Sequence, residues 1–378
     1  MGFLKEYEAL SSADARRALL FQWLNEHRHE LFAELRDNAP VFAAPDFFLV
    51  TRYEDAKNVL RDDQHFSVRA YPISETFVLG KDKADGHDVD RQFLSKLLPE
   101  ADYERVRDIA ARKAQELINT ALGKEEALFT IIQKDPVLKH IVSGEGLSRG
   151  RLDLPTAFAR LVPLAVVEKY FGVLEPNPAD FGVPPLPRHP NPVVTKLQGA
   201  ARPLLDPNFP SLDHWTSALS LAFFYTTFDQ YFSPNLVLAR TLSERALQVQ
   251  KDFATHIGMQ IKALLGQPSQ PPAPENDTLL KRLVRGMATH GRSLEQTVRD
   301  MIGMIGGMID NVSASVCKAI DVLLSYPSAL EQAGEIAQEL ERAPANQVEP
   351  LRDKLWQYIR EALRFAPPVP FVPRTPAE

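Results

Sequence analysis

Apolar residues recur at helical spacing along most of the chain, and this pattern predicts a mainly helical protein. In the first such stretch, residues 12–37, positions such as Leu20, Trp23 and Leu31 fall on one face and predict a single amphipathic helix. From Asp102 onward, the same spacing predicts helices at 102–121, 154–172, 211–232, 235–265, 276–289, 293–325, 327–342 and 347–365.

A small β element interrupts the helical pattern near the N-terminus. Residues Val41–Phe42 and Phe47–Thr51 predict two short strands joined by a turn at Pro45–Asp46, and Tyr53 to Arg61 predict a helix after them. Two proline-rich stretches, 175–210 and 266–277, are predicted to be irregular connections. Neither marks a clean domain boundary, so we expect one large, mainly helical domain over residues 1–378.

Composition narrows the class of protein. Hydrophobic residues make up 44% of the 378 residues, which is enough for a substantial core. The net charge of −6 argues against a nucleic-acid partner, which normally requires a basic face. The single cysteine, Cys317, excludes an intrachain disulfide and a cysteine metal cluster, which fits a cytoplasmic location. The N-terminus lacks a long apolar run, so we expect no membrane anchor.

The predicted helix at 293–325 is apolar on every side in its middle, as expected of a central core helix. Gly303, Gly306 and Gly307 leave three positions of this region without side chains. Each glycine lowers helix stability by about 1 kcal/mol relative to alanine. Asp310 follows them as a carboxylate in apolar surroundings, where an unpaired charge is costly. Two interpretations stay open: a broad group lies close to the thin backbone, or the glycines serve helix packing and Asp310 pairs with a basic residue.

Four motifs together suggest a family. They are the His-x-x-x-Arg pair His87 and Arg91, the glycine-thinned helix with Asp310, the Glu-x-x-Arg helix with Glu361 and Arg364, and the proline-rich turn at 367–370 followed by Arg374. In this order and spacing, they resemble the cytochrome P450 family. The resemblance covers nearly all of residues 15–376, because the predicted β element and the helix after it also resemble the start of that fold.

The resemblance implies a haem cofactor and a role for each motif. His87, Arg91 and Arg374 would bind the haem propionates, since a guanidinium matches the geometry of a carboxylate. Glu361 and Arg364 would form a structural ion pair beneath the cofactor. The implied activity is that of a monooxygenase acting on a lipophilic small molecule, with a ferredoxin or flavin reductase as electron donor. The aromatic run 222–228 would roof the substrate pocket.

The catalytic helix departs from the family pattern. Asn311 follows Asp310 where the family usually has threonine, and an amide is a poor proton relay. Met308 also replaces a small residue. Asp310 and Asn311 would still be the catalytic pair, but Asn311 favours a second reading: a fatty-acid hydroperoxide isomerase or peroxygenase, supplied by a haem peroxidase-type dioxygenase. A third reading, from another class, is a haem-free remnant without catalysis.

The end of the chain matters for the implied chemistry. In the family, the arginine after the proline turn is followed by a loop bearing the cysteine that ligates iron, and residue 378 precedes any such loop. Cys317 does not replace it, because it lies on the distal helix about 10 Å beyond Asp310. We therefore expect most of a P450-like domain without its thiolate ligand, inactive by itself, as a fragment, a truncated gene or one part of a split enzyme.

Overall fold

The computed structural model describes residues 2–68, 77–134, 152–183, 210–224, 236–266, 273–369 and 371–377. Within these ranges the protein is mainly helical with two small antiparallel sheets. The helices are α1 Phe3–Glu8, α2 Ala13–Glu26, α3 Arg28–Asn38, α4 Tyr53–Arg61, α5 His87–Leu97, α6 Tyr103–Lys134, α7 Leu161–Val166, α8 Leu212–Phe224, α9 Leu236–Leu265, α10 Leu279–His290, α11 Leu294–Ser325, α12 Pro327–Arg342 and α13 Ala345–Phe365. The strands are β1 Val41–Ala43, β2 Phe48–Val50, β3 Phe66–Ser67 and β4 Thr375–Pro376.

Helix α11 begins where the sequence predicts. The Ser293 hydroxyl accepts a hydrogen bond from the Gln296 N–H, and the Gln296 side chain accepts one from the Ser293 N–H, each at 3.1 Å. This reciprocal capping satisfies two backbone donors that a helix N-terminus otherwise leaves without partners. Helices α12 and α13 also lie at or within two residues of their predicted bounds.

The predicted single helix at 12–37 is wrong, because the chain breaks at His27 into α2 and α3. His27 adopts φ −134° and ψ 31°, outside the helical region. The break lets Trp23 on α2 and Leu35 on α3 both enter the same small core, which one straight helix would not allow. Tertiary packing therefore overrides the local helical pattern.

The predicted β element is present as sheet β1–β2, in which Val41 pairs with Val50 and Ala43 with Phe48. A second sheet was not predicted: β3 pairs with β4, with Ser67 opposite Thr375. The second sheet joins the N-terminal region to the segment after α13. Its strands are two residues long, too short to give a periodic signal.

The main core surrounds the first half of α11. Met301 and Ile305 are fully buried there, against residues of α8, α9 and α10 such as Trp215, Ile257 and Leu283. The second half of α11 is much less covered, and Ala319 is its one fully buried residue. A separate, smaller core under α1–α3 packs against β1 and β2.

Parts of the sequence predictions fall outside the described residues. These are residues 184–209 of the first proline-rich stretch, residues 267–272 of the second, residues 225–228 of the aromatic run and the side chains of its residues 222–224. Near the first stretch, the predicted helix at 154–172 is present as an α-helix flanked by two π-helical turns, Pro155–Ala159 and Val167–Phe171.

Candidate functional site on helix α11

The three glycines of α11 have different surroundings. A side-chain carbon at Gly303 would lie 2.2 Å from the Phe77 ring, and one at Gly306 would lie 3.3 Å from Leu219. At Gly307, by contrast, nothing lies within 4 Å of that position. Close packing therefore explains the first two glycines, and Gly307 leaves open space against the helix backbone.

Asp310 lies one turn beyond this open position and is largely buried. The Ser220 hydroxyl on α8 donates a hydrogen bond to Asp310 Oδ1, while Oδ2 has no hydrogen-bond partner among the described residues. Burial raises the pKa of Asp310 to about 6, and the Ser220 hydrogen bond offsets only part of this effect. The partner seen here is thus a hydroxyl and not the basic residue that one interpretation of the sequence required.

Ser220 allows Asp310 to change protonation state without losing its hydrogen bond. The Ser220 oxygen also lies 3.0 Å from the Thr216 carbonyl. When Asp310 is ionised, the single Ser220 proton is donated to the carboxylate. When Asp310 is protonated, the acid donates to Ser220, which then donates to Thr216. A carboxyl with a pKa near 6 that keeps its Ser220 hydrogen bond in both states is suited to exchanging a proton near neutral pH.

Helix α8 is held in place by Arg160, in the turn between the first π-helical segment and α7. The Arg160 guanidinium forms an ion pair with Asp213 at 2.7 Å and donates to the Ser217 hydroxyl. Both partners lie in the first two turns of α8, so the next turn presents Ser220 to α11. In addition, Ser313 on α11 donates to the Ala159 carbonyl at 3.0 Å, at the end of the π-helical turn.

Asn311 does not join Asp310. Its side-chain amide donates to the Gly307 carbonyl one turn back at 2.6 Å, and the residue is exposed. Gly307 and Asn311, four residues apart, share one face of α11, while Asp310 turns toward α8. The two predicted catalytic residues therefore point to different surroundings, and no hydrogen bond links them.

His87 and Arg91 lie on the first turns of α5. The His87 ring nitrogen Nδ1 is 2.9 Å from the Asp88 carboxylate, and the ring is largely buried. Arg91 is exposed and forms no ion pair among the described residues. One face of α5 thus offers an imidazole and an uncommitted guanidinium.

Arg374 reaches the same region through the second sheet. Its guanidinium donates to the Pro373 carbonyl at 2.8 Å, and the next residue, Thr375, pairs with Ser67. The Ser67 hydroxyl donates to the Asp82 carboxylate at 2.6 Å, and the Asp82 backbone carbonyl accepts from the His87 N–H at 3.3 Å. A hydrogen-bonded strip therefore runs from the segment of Arg374 to His87 at the start of α5, and no contact among the described residues joins the side chains of His87, Arg91 and Arg374.

The Glu361 and Arg364 pair is formed but lies at the surface. Arg364 donates two hydrogen bonds to the Glu361 carboxylate, at 2.9 and 2.7 Å. Both side chains are more than half exposed, so water screens the pair. The Lys318 ammonium on α11 donates a hydrogen bond to the Pro367 carbonyl at 2.6 Å. This bond connects the proline-rich turn at 367–370 to α11. Pro370 of that turn lies outside the described residues.

A buried charge cluster beside α5 was missed by the sequence analysis. Arg292 donates to Asp90 at 2.7 Å and also to Asp300, and Lys81 donates to Asp90. Asp300 is fully buried, and burial raises its pKa to about 6 despite Arg292. Burial acts on Asp90 in the same direction, but its two cationic partners outweigh it and lower the Asp90 pKa. The signal that singled out Asp310, a carboxylate in an apolar helix, applied equally to Asp300.

The described residues contain no group of three or more His, Cys, Asp or Glu side chains that could hold a metal ion. Cys317 is half-buried on α11, and burial raises the pKa of its thiol. The thiol is therefore protonated at neutral pH and is poorly suited to ligate a metal as a thiolate. Over the same described ranges, no helix is long and apolar enough to cross a bilayer.

Comparison with known proteins shows the fold alone. No family model matches the chain, and no curated protein sequence matches it significantly. Among solved structures, the crystal structure of CalO2 is similar, with a TM-score of 0.55 over 90% of this chain and 67% of that chain. The two sequences are 14% identical over this alignment, so the similarity concerns the backbone arrangement and not the chemistry of individual residues.

Proposed function

We propose that this chain forms most of a haem-dependent oxidoreductase of the cytochrome P450 type that acts on a lipophilic small molecule. One observation carries the proposal: a buried carboxyl, Asp310, has a pKa near 6 and lies one turn from open space on a glycine-thinned central helix. The order of the four sequence motifs and the hydrogen-bonded strip from His87 to Arg374 support it.

The cationic residues fit one end of a haem. Arg91 has no carboxylate partner among the described residues, and Arg374 donates to a backbone carbonyl. In the proposed enzyme, each of these guanidiniums would receive one propionate in a charge-assisted hydrogen bond. When bound, haem supplies a redox-active iron at which dioxygen or a peroxide is activated.

The Cys317 thiol does not fit the role of the thiolate ligand to haem. Cys317 lies on the same helix as Asp310, and its thiol is protonated at neutral pH. In the proposed enzyme, the thiolate therefore comes from a polypeptide segment outside residues 1–378. By this reasoning, residues 1–378 bind haem weakly and without a thiolate ligand.

The residues of this chain have defined tasks in the proposed enzyme. Asp310 takes up and releases a proton, and Ser220 holds the carboxyl in place in both protonation states. Phe77 packs against the helix at Gly303 and Leu219 at Gly306, and both side chains are buried. Gly307 provides the space in which a flat or apolar group lies against the backbone.

A second candidate function rests on Asn311. Its amide is engaged with the Gly307 carbonyl and makes no contact with Asp310, so no relay runs from the acid through residue 311. The oxygen of a fatty-acid hydroperoxide is already reduced to the peroxide level. Cleavage of its O–O bond therefore requires less proton delivery through such a relay. With a thiolate-bearing segment supplied, we therefore expect faster turnover of a fatty-acid hydroperoxide than of dioxygen with a reductase. Efficient reductase-coupled hydroxylation with negligible hydroperoxide turnover would favour the monooxygenase.

Haem titration followed by absorbance tests the cofactor assignment. Replacing both Arg91 and Arg374 with alanine is expected to weaken haem retention about tenfold or more, because two charge-assisted contacts are lost. Arg360→Ala, an exposed arginine on α13, is the matched control and should change nothing. Equal retention by the double variant and the control would remove the propionate assignment.

Carbon monoxide added to the reduced, haem-loaded chain tests the thiol assignment. We expect no red-shifted carbonyl band of thiolate ligation, because the Cys317 thiol is protonated and lies on the distal helix. A red-shifted band that disappears in Cys317→Ser would show that this assignment is wrong. A haem-free remnant, the third reading, predicts no saturable haem uptake in either experiment.

A further inference from the structure

A cleft lies between α6 and the helical segment 161–171. It has a volume of about 770 Å³, within the range of small-molecule sites. Ile109 of α6 and Ala165 of α7 form its apolar part, and Asn276 of the short 3-10 turn Pro274–Asn276 also lines it. The proposed oxidoreductase function gives this cleft no role.

The charge of the cleft is opposite to that of the chain. Among the described residues, four cationic and two carboxylate side chains line it, which leaves two positive charges in excess. The whole chain, by contrast, carries a net charge of −6. A local positive excess on an acidic protein selects for an anionic ligand over a neutral or cationic one.

Ion pairing leaves two guanidiniums as the source of this excess. Lys113 pairs with Glu116 at 2.9 Å, and Lys169 pairs with its neighbour Glu168 at 2.8 Å. Arg105 donates only to the backbone carbonyls of Pro274 and Asp277, at 3.0 and 3.1 Å. Arg112 is exposed and has no ion-pair partner among the described residues.

The two guanidiniums are placed to act together. Arg105 and Arg112 are seven residues apart on α6, which puts them on one face of the helix and about 10 Å apart along its axis. Ile109 lies between them and is buried. A ligand held at Arg112 would meet Ile109 about one turn away, and Arg105 adds positive potential beyond it.

We propose that this cleft binds an organic phosphate, with its anionic group held by Arg112 and its neighbours and its organic part packed on Ile109 and Ala165. A guanidinium presents a planar pair of N–H donors that matches two phosphate oxygens. Lys113, although paired with Glu116, adds positive potential to the same cleft. This inference is independent of haem binding.

Calorimetric titration of the full chain with inorganic pyrophosphate, at constant ionic strength, tests the proposal. We expect saturable binding with a Kd below about 1 mM. A short alkyl pyrophosphate should bind more tightly, because its chain would contact Ile109 and Ala165. Absence of saturation up to about 10 mM would overturn the proposal, and equal affinity for the two probes would overturn the apolar contact.

Three variants locate the site. Arg112→Gln is expected to weaken binding about tenfold, whereas Arg360→Gln, an exposed arginine on another helix, should leave it unchanged. Glu116→Gln should tighten binding about threefold, because it frees Lys113 and removes a repelling carboxylate. Equal losses at Arg112 and Arg360, or weaker binding in Glu116→Gln, would place the anion elsewhere. If Arg112→Gln fails to fold, the Glu116 variant decides.

Discussion

Replacing Asp310 with asparagine is expected to stabilise the protein at neutral pH. Burial raises the pKa of this carboxyl from its ordinary value of 3.8 to about 6, which means that the folded protein disfavours the ionised form. At about 1.4 kcal/mol per pH unit, keeping Asp310 ionised costs about 3 kcal/mol of stability. Asparagine has nearly the same shape, carries no charge, and can donate through its amide to Ser220.

The sign of the pH dependence follows from the two protonation states. Below about pH 4, Asp310 is protonated in both the folded and the unfolded chain, so it costs nothing. Between about pH 4 and pH 6 the folded protein keeps a proton that the unfolded chain releases, so stability falls as pH rises. Above pH 6 the full cost is present. The advantage of Asp310→Asn should therefore be greatest at pH 7 and above, and should vanish toward pH 4.

Urea unfolding at pH 5 and pH 7.5 measures this difference in the free energy of unfolding. Asp321→Asn is the matched control, because Asp321 is exposed on the same helix. Asp300, whose pKa burial also raises to about 6, keeps part of the pH dependence in the Asp310 variant. If Asp310→Asn is no more stable than the Asp321 control at pH 7.5, the burial argument for this carboxyl is wrong. Under the proposed function, Asp310→Asn should also lose catalytic activity, because asparagine does not take up and release a proton.

Two further predictions use the same unfolding assay. Gly303→Ala is expected to destabilise the protein by about 1–3 kcal/mol, because the new methyl would meet the Phe77 ring. Gly307→Ala should instead stabilise it by up to about 1 kcal/mol, and similar effects at both sites would contradict the geometry of α11. Arg292→Leu should cost about 3–5 kcal/mol because it leaves Asp300 buried without its cation. That loss should be smaller at pH 5, where Asp300 is protonated, and an equal loss at both pH values would refute the assignment.

Local pattern was enough to predict most of the helices. The bounds of α11 and α12 agree with the apolar spacing that predicted them, and in the structure Ser293 caps α11 and Pro327 is the first residue of α12. Both signals act within one or two turns, so they are readable without knowledge of the fold. The break at His27 was not readable in this way, because it serves a core that both helices enter.

The candidate site was only partly predictable. Asp310 stands out in the sequence because a carboxylate in an apolar helix needs an explanation. Its hydroxyl partner, Ser220, lies 90 residues away and carries no local signal. The same limitation hid the partners in the cluster around Asp300, because its members come from two separate stretches of the chain, 81–90 and 292–300. The sequence also did not predict that the Glu361 and Arg364 pair is exposed, because spacing along a helix predicts pairing but not burial.

The sequence by itself therefore determined most of the helical segments, although not the break at His27, and which residues invite a chemical explanation, because helical periodicity depends on neighbours along the chain. Only the tertiary structure decided how those residues are partnered. It closed a two-strand sheet between Ser67 and Thr375, which are 308 residues apart, and it placed Phe77 on Gly303 while leaving Gly307 open. It also buried Asp310 against a hydroxyl. Burial and long-range contacts set the pKa of a side chain and the space around it, and neither is a property of local sequence.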